Sequence, residues 1–153
     1  TLPAYGMYVR HAKGITLENV TFDLESQDLR PALVCDDVED LELANFRAVG
    51  DPQVELLRLA DTRHAFIHGC RPLKEIGLFA GVEGVSSRDI LLAANDLRRA
   101  AQSHALSDGA DEKAVIFDPW SGEKMEIKTK ILMRSISYVR NMLKIAPKLI
   151  RIK

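Results

Sequence analysis

The adjacent carboxylates Asp36 and Asp37 are the first residues in this chain whose types and spacing could do chemistry. Two carboxyl groups flanking a glycosidic bond can hydrolyse it with inversion, one as acid and one as base. Neighbours on a strand point to opposite faces, so this pair converges only if a turn bends the chain between them. The repeat described below supplies another role. Asp36 falls level with Arg10, and Asp37 lies between His11 and Asp61, which predicts cross-coil ion pairing and turn formation. His64 and His68 are four apart, a helical metal-ligand spacing, but they flank apolar Ala65 and Ile67 and so belong on the outer side of a strand. With no acidic or cysteine third ligand at useful spacing, neither a metal site nor a cofactor is expected. His104 falls in a polar stretch, Gln102-Ser103-His104, read as a loop without an identifiable partner. There is no nucleophile elbow or P-loop, and Gly81-Val82-Glu83-Gly84 is too sparse for a dinucleotide turn, so no catalytic residue is assigned.

A four-fold internal repeat must position these side chains. Ala12, Ile15, Leu17, Val20 and Phe22 recur 26 residues on as Val38, Leu41, Leu43, Phe46 and Ala48. A further 24 residues gives Thr62, Ala65, Ile67, Cys70 and Pro72, and 25 more gives Ser87, Ile90, Leu92, Asn95 and Leu97. The upstream columns read Met7, Leu33, Leu57, Val82 and Val9, Cys35, Leu59, Gly84. A period in this range marks a solenoid, whose units bury their apolar faces only by stacking on one another. Within a unit the apolar residues lie two apart, as Ile15 and Leu17 or Val20 and Phe22, which is strand geometry. Three short strands per turn predict an all-β fold, a parallel β-helix of about four coils over residues 1–118. A leucine-rich repeat is the nearest alternative. Against it, Asn19 and Asn45 come two residues after the strand leucine rather than three, and stretches such as 23–30 lack a helical face.

Asn19 and Asn45 share one corner of adjacent coils, where the backbone must turn left-handed and Asn is the most tolerant residue after glycine. Stacked there, their amides would form a ladder. Gly69 takes the same corner by the other permissive route. Ala94-Asn95 in the fourth coil predicts a one-residue bulge. Cys35 and Cys70 fall in different inward columns and read as small buried hydrophobes without a disulfide.

At 153 residues and net charge −1 the chain is one domain by length, and its overall charge implies neither nucleic acid nor a membrane as partner. No apolar run is long enough to span a bilayer. Residues 1–118 carry 12 Lys and Arg against 20 Asp and Glu, whereas 119–153 carry 9 against 2. In that basic tail Ile127, Ile131, Ser135, Tyr138, Met142 and Ile145 follow a helical period. The tail is read as an amphipathic helix, started by Ser121 and stopped by Pro147, that caps the last coil; a membrane- or polyanion-binding helix is the alternative. Thr1-Leu2-Pro3 is neither a start methionine nor a signal peptide, and the repeat begins at Met7 without a cap. The expectation is the C-terminal piece of a longer solenoid, with upstream coils or a partner covering the first coil.

The segment LPAYGMYVRHAKGITLENVTF, ending at Phe22, resembles the late coils of glycoside hydrolase family 28, the polygalacturonase-like enzymes of the pectin lyase-like β-helix superfamily. RPALVCDDVEDL, ending at Leu41, FIHGC, ending at Cys70, and SRDILLAANDL, ending at Leu97, continue the likeness over roughly residues 1–100. The resemblance implies a right-handed parallel β-helix, secreted or periplasmic, from a parent that hydrolyses galacturonide linkages of pectic polysaccharide by inversion. The family's N-T-D and G-H-G segments are not matched, the latter position reading Ile67-His68-Gly69-Cys70. Arg151-Ile152-Lys153 spells the family's R-I-K but stands at the far end of the tail, where it is read as coincidence. The parent's acid and base are therefore expected upstream of Thr1, and this chain alone is expected to be inactive. Neither Asp61 nor Asp89 has a second carboxylate in family context, and Arg and Lys show no cluster within 1–118 to hold uronate carboxylates. A non-catalytic β-helix for carbohydrate adhesion or assembly is the alternative.

Overall fold

The computed structural model describes residues 2–117; the predicted tail over 119–153, with Arg151, Ile152 and Lys153, lies outside them. The described strands are β1 (Met7–Glu18), β2 (Thr21–Phe22), β3 (Leu33–Ala44), β4 (Arg47–Ala48), β5 (Glu55–Ala60), β6 (Arg63–His68), β7 (Arg71–Pro72), β8 (Ile76–Glu83), β9 (Arg88–Ala93), β10 (Ala100–Ser107) and β11 (Val115–Phe117). Every pairing is parallel and joins one coil to the next. Three ladders result, β1-β3-β5-β8-β10, β1-β3-β6-β9-β11 and β2-β4-β7, so the chain is a parallel β-helix. No helix lies along any edge among the described residues, which excludes the leucine-rich alternative.

Single residues with left-handed backbone turn the strands from face to face. One corner column is His11, Asp37, Asp61, Gly84 and Asp108, another Gly14, Asp40, His64 and Asp89, and a third Asn19, Asn45, Gly69 and Ala94, all at positive φ. Asp, Asn, His and Gly are the residue types for which this conformation costs least. Between corners, alternate residues point inward. Leu43, Ile67 and Leu92 stack in register at zero exposure, with Leu17 partly covered at one end of the column. Burying each such side chain stabilises the fold by about 1.5–3 kcal/mol. Thr62 and Ser87 sit polar in an inward column, and the Ser87 hydroxyl both accepts from the Thr62 N–H at 3.1 Å and donates to the Glu83 carbonyl at 2.6 Å.

Three expectations need correction. The solenoid has about five turns, because β10 continues on β8 and β11 on β9. The fifth turn was hidden by polar Gln102 and His104, which take the places of Leu78 and Ala80. In the fourth coil Val82 aligns with Leu59 and Ala80 with Leu57, a shift of two residues from the expected columns. Gly84 is therefore a corner, not an inward residue, and the surplus residues form the bend that leads to Ser87, whose N–H donates to the Gly84 carbonyl at 3.2 Å. The expected bulge at Ala94-Asn95 is absent. Ala94 takes the asparagine corner at φ 51°, and Asn95 turns inward, where it accepts from the Cys70 N–H and donates to the Ile67 carbonyl, both at 2.9 Å.

Candidate functional site

The Asp37 corner decides the fate of the aspartate pair. Because Asp37 turns at φ 54°, it and Asp36 do not alternate inward and outward, and both remain accessible on the outer surface. They do not converge on one site. Asp36 pairs with Arg10 at 2.9 Å and accepts from the Tyr8 hydroxyl at 2.9 Å. Asp37 meets His11 at 2.9 Å and Arg63 at 3.1 Å, and these two, His11 first, hold its carboxyl below the usual carboxylate range. A general acid for glycoside hydrolysis needs the opposite shift, a raised pKa. Cross-coil pairing is what the columns predicted, and the geometry shows it.

The remaining predicted positions are also engaged. Asp61 accepts from the Ser86 N–H at 3.2 Å, which ties down the bend after Gly84. Asp89 faces His64 at 3.3 Å. His68 meets Glu42 at 3.2 Å and stacks on Phe66, ring centroids 4.2 Å apart. His64 thus occupies a corner and His68 a strand, each with its own carboxylate rather than a shared ion. Among the described residues no group of three His, Cys, Asp or Glu side chains is placed to hold a metal. His104 is not in a loop: it lies on β10, with Nδ1 3.0 Å from the Ser103 hydroxyl and its ring beside Phe117. Cys35 and Cys70 are buried free thiols, and burial pushes their pKa values up to about 12 and about 11.

The structure does gather cations where the linear sequence showed no cluster. Arg47 and Arg71 stand in register on β4 and β7, their backbones held by inward Ala48 and Pro72. Next to Arg71 the chain leaving β7 and the chain approaching β10 enclose a groove of about 470 Å³, lined by Arg71, Pro72, Leu73, Glu75, Asp96, Arg98 and Arg99. Arg98 forks onto Asp96 at 2.8 and 2.7 Å and holds that carboxyl at about pKa 2. Arg99 donates to the Leu73 carbonyl, which fixes one wall. The signal was present as the 24-residue interval between Arg47 and Arg71, one coil.

A second, smaller hollow of about 200 Å³ lies between the 24–28 segment, Val49–Asp51 and Lys74. Its buried carboxylate, Asp51, accepts from Gln27 Nε2 at 2.7 Å and from the Gln53 N–H at 2.9 Å, so it serves the loop. Comparison of the chain with protein-family models, curated proteins and solved structures finds no match.

Proposed function

We propose that this chain is the distal, non-catalytic part of a polygalacturonase-like glycoside hydrolase acting on pectic polysaccharide outside the cytoplasm, with the acid and base carried by preceding coils. The observation that carries the reading is the match between resemblance and geometry. The segment that resembles the family's late coils, residues 2–22, carries the strands of the first turn, β1 and β2, in register with the next. The first coil adds support. Met7, Val9, Ile15, Leu17 and Phe22 are only partly covered, whereas their partners Leu33, Cys35, Leu41 and Leu43 are fully buried. Among the described residues β1 pairs on one side only, with β3. A further parallel coil would cover those side chains and pair that edge.

The test is release of reducing sugar from polygalacturonic acid between about pH 4 and 7, the range in which paired carboxyls work as acid and base. The chain as given is expected to release none. The chain extended by its preceding reading frame is expected to be active and to lose activity when aspartates in the added coils become Asn. Activity of the chain alone that disappears in Asp36→Asn, Asp37→Asn would overturn the proposal. Adhesion without catalysis is the second reading, favoured by the cationic partners that already hold Asp36 and Asp37. An extended chain that binds the polymer without cleaving it would select that reading.

A further inference from the structure

Opposite charges close the junction between the first two coils along one edge. Arg10 lies level with Asp36 and Lys13 with Glu39 in the β1–β3 register, at 2.9 and 2.7 Å. Between them His11 meets Asp37 at 2.9 Å. The outer positions of the first coil are thus cationic, His11 once protonated, and those of the second are anionic. Asp37 shows that a charge in this edge takes partners from both neighbouring coils, since Arg63 of the third coil reaches its other oxygen at 3.1 Å. Arg10, His11 and Lys13 have ion-pair partners in the second coil only, among the described residues. Their other side borders the open backbone edge of β1, and each side chain is more than half exposed. Asn19 repeats the pattern at its corner: its side chain accepts from Asn45 and donates to no described residue.

We propose that this end of the solenoid receives a preceding parallel coil that carries carboxylates level with Arg10 and Lys13 and a side-chain acceptor level with Asn19. The proposal rests on the reading that a coil precedes this one, not on the hydrolase activity. One strand spacing, about 4.8 Å, would separate those carboxylates from the cations, and two spacings would separate them from Asp36 and Glu39. Coulomb energy falls with distance, so attraction outweighs repulsion about twofold. A cationic coil would set like charges directly opposite, which destabilises a sheet. The solenoid accepts that at Arg63 and Arg88, where Asp37 and Asp89 lie beside the guanidinia. A coil with apolar side chains at these positions would take water from Arg10 and Lys13 without replacing it. Inward, the partly covered Met7, Val9, Ile15, Leu17 and Phe22 require apolar side chains in the same columns. The second coil already has this composition, with Asp36, Glu39 and Asn45 around Leu33, Cys35, Leu41 and Leu43. Its sequence therefore serves as the probe.

The experiment places a copy of residues 27–50 ahead of Thr1 in the full chain. This repeats the 24-residue step from Leu33 to Leu57 and sets the copied Asp36, Glu39 and Asn45 level with Arg10, Lys13 and Asn19. Urea titration compares it with a neutral copy, Asp36→Asn and Glu39→Gln, and a reversed copy, Asp36→Lys and Glu39→Lys, each changed in the added coil alone. The acidic copy should raise the midpoint above that of the unextended chain. Its unfolding constant should be about two- to tenfold smaller than that of the neutral copy, the size expected of two exposed ion pairs, and the reversed copy should unfold most easily. The gap between acidic and neutral copies should shrink in high salt and in the background Arg10→Gln, Lys13→Gln. The proposal is overturned if the acidic copy leaves the midpoint unchanged, if the neutral or reversed copy is as stable, or if the gap persists undiminished in that background. A second measurement reads the coil encoded before Thr1, which should carry Asp or Glu level with Arg10 and Lys13; a coil with neither overturns the proposal. An inactive parent with such a coil would overturn the hydrolase reading alone. An active parent whose preceding coil lacks the carboxylates would overturn this inference alone.

Discussion

Asn45 donates its side-chain amide to Oδ1 of Asn19 in the preceding coil, 3.2 Å away. The ladder ends one coil later because Gly69 occupies the next corner, and a Cβ there would lie 2.4 Å from Asn45 Oδ1. The same pair of residues therefore turns the chain, links two coils and excludes a side chain from the third.

Gly69→Ala is expected to destabilise the chain by more than the ~1–2 kcal/mol of placing alanine in a left-handed conformation, because contact with Asn45 adds to it. Ala94 already bears that conformational cost at φ 51° in the same column. Ala94→Gly should stabilise by roughly 0.5–1 kcal/mol. Urea titrations with unchanged slope would show the midpoints moving in opposite directions. A destabilised Ala94→Gly would mean that the methyl group contributes packing that outweighs the backbone term.

Depth in the inward stack sets the cost of truncation. Leu43→Ala, at zero exposure, is expected to lose about 2–5 kcal/mol. Leu17→Ala, in the same column but only partly buried, should lose distinctly less in the chain as given. Glu42→Lys, on the outer side, should change stability by no more than about 0.5 kcal/mol. Equal losses at positions 17 and 43 would show that the first coil is as well covered as the second.

Acid should weaken the cross-coil network at Asp37. His11 and then Arg63 depress its pKa below the ordinary 3.8, so the folded state favours the carboxylate. The stabilisation is present above pH 3.8 and is lost as pH falls through the lower folded value. In Asp37→Asn the fall in stability across that window should be smaller than in the native chain. Because these side chains are exposed, the effect is modest and salt should shrink it. Identical acid profiles for the two proteins would remove Asp37 from the network.

Cys35 and Cys70 should resist an aromatic disulfide reagent at neutral pH in the folded chain, since burial raises both thiols, to about 12 and about 11, and closes access. Both should react together once denaturant unfolds the coils. Rapid reaction of one thiol before the global transition would reveal local opening at its coil.

The sequence by itself determined the solenoid, its inward columns and the asparagine corner. Strand alternation is a property of local backbone, so Ile15-Leu17 and Leu41-Leu43 announce their faces wherever they lie. A left-handed corner is legible when Asn or Gly fills it, as at Asn19, Asn45 and Gly69. Corners filled by His11, Asp40 or His64 were not, because those residues are equally at home on any wet surface. Register in the fourth coil was ambiguous for a related reason: Val82 suits the Leu57 column as well as the Leu59 column, and only the path of the bend after Gly84 chooses. The alignment of Arg47 with Arg71 is written in the sequence only as a one-coil interval, and the tertiary structure turns it into proximity. Arg47 and Arg71 are a coil apart along the chain and align across β4 and β7, so neighbouring residues say nothing of their pairing. Stacking at one strand spacing converts that long interval into contact, because each turn of the solenoid returns the chain to the same side.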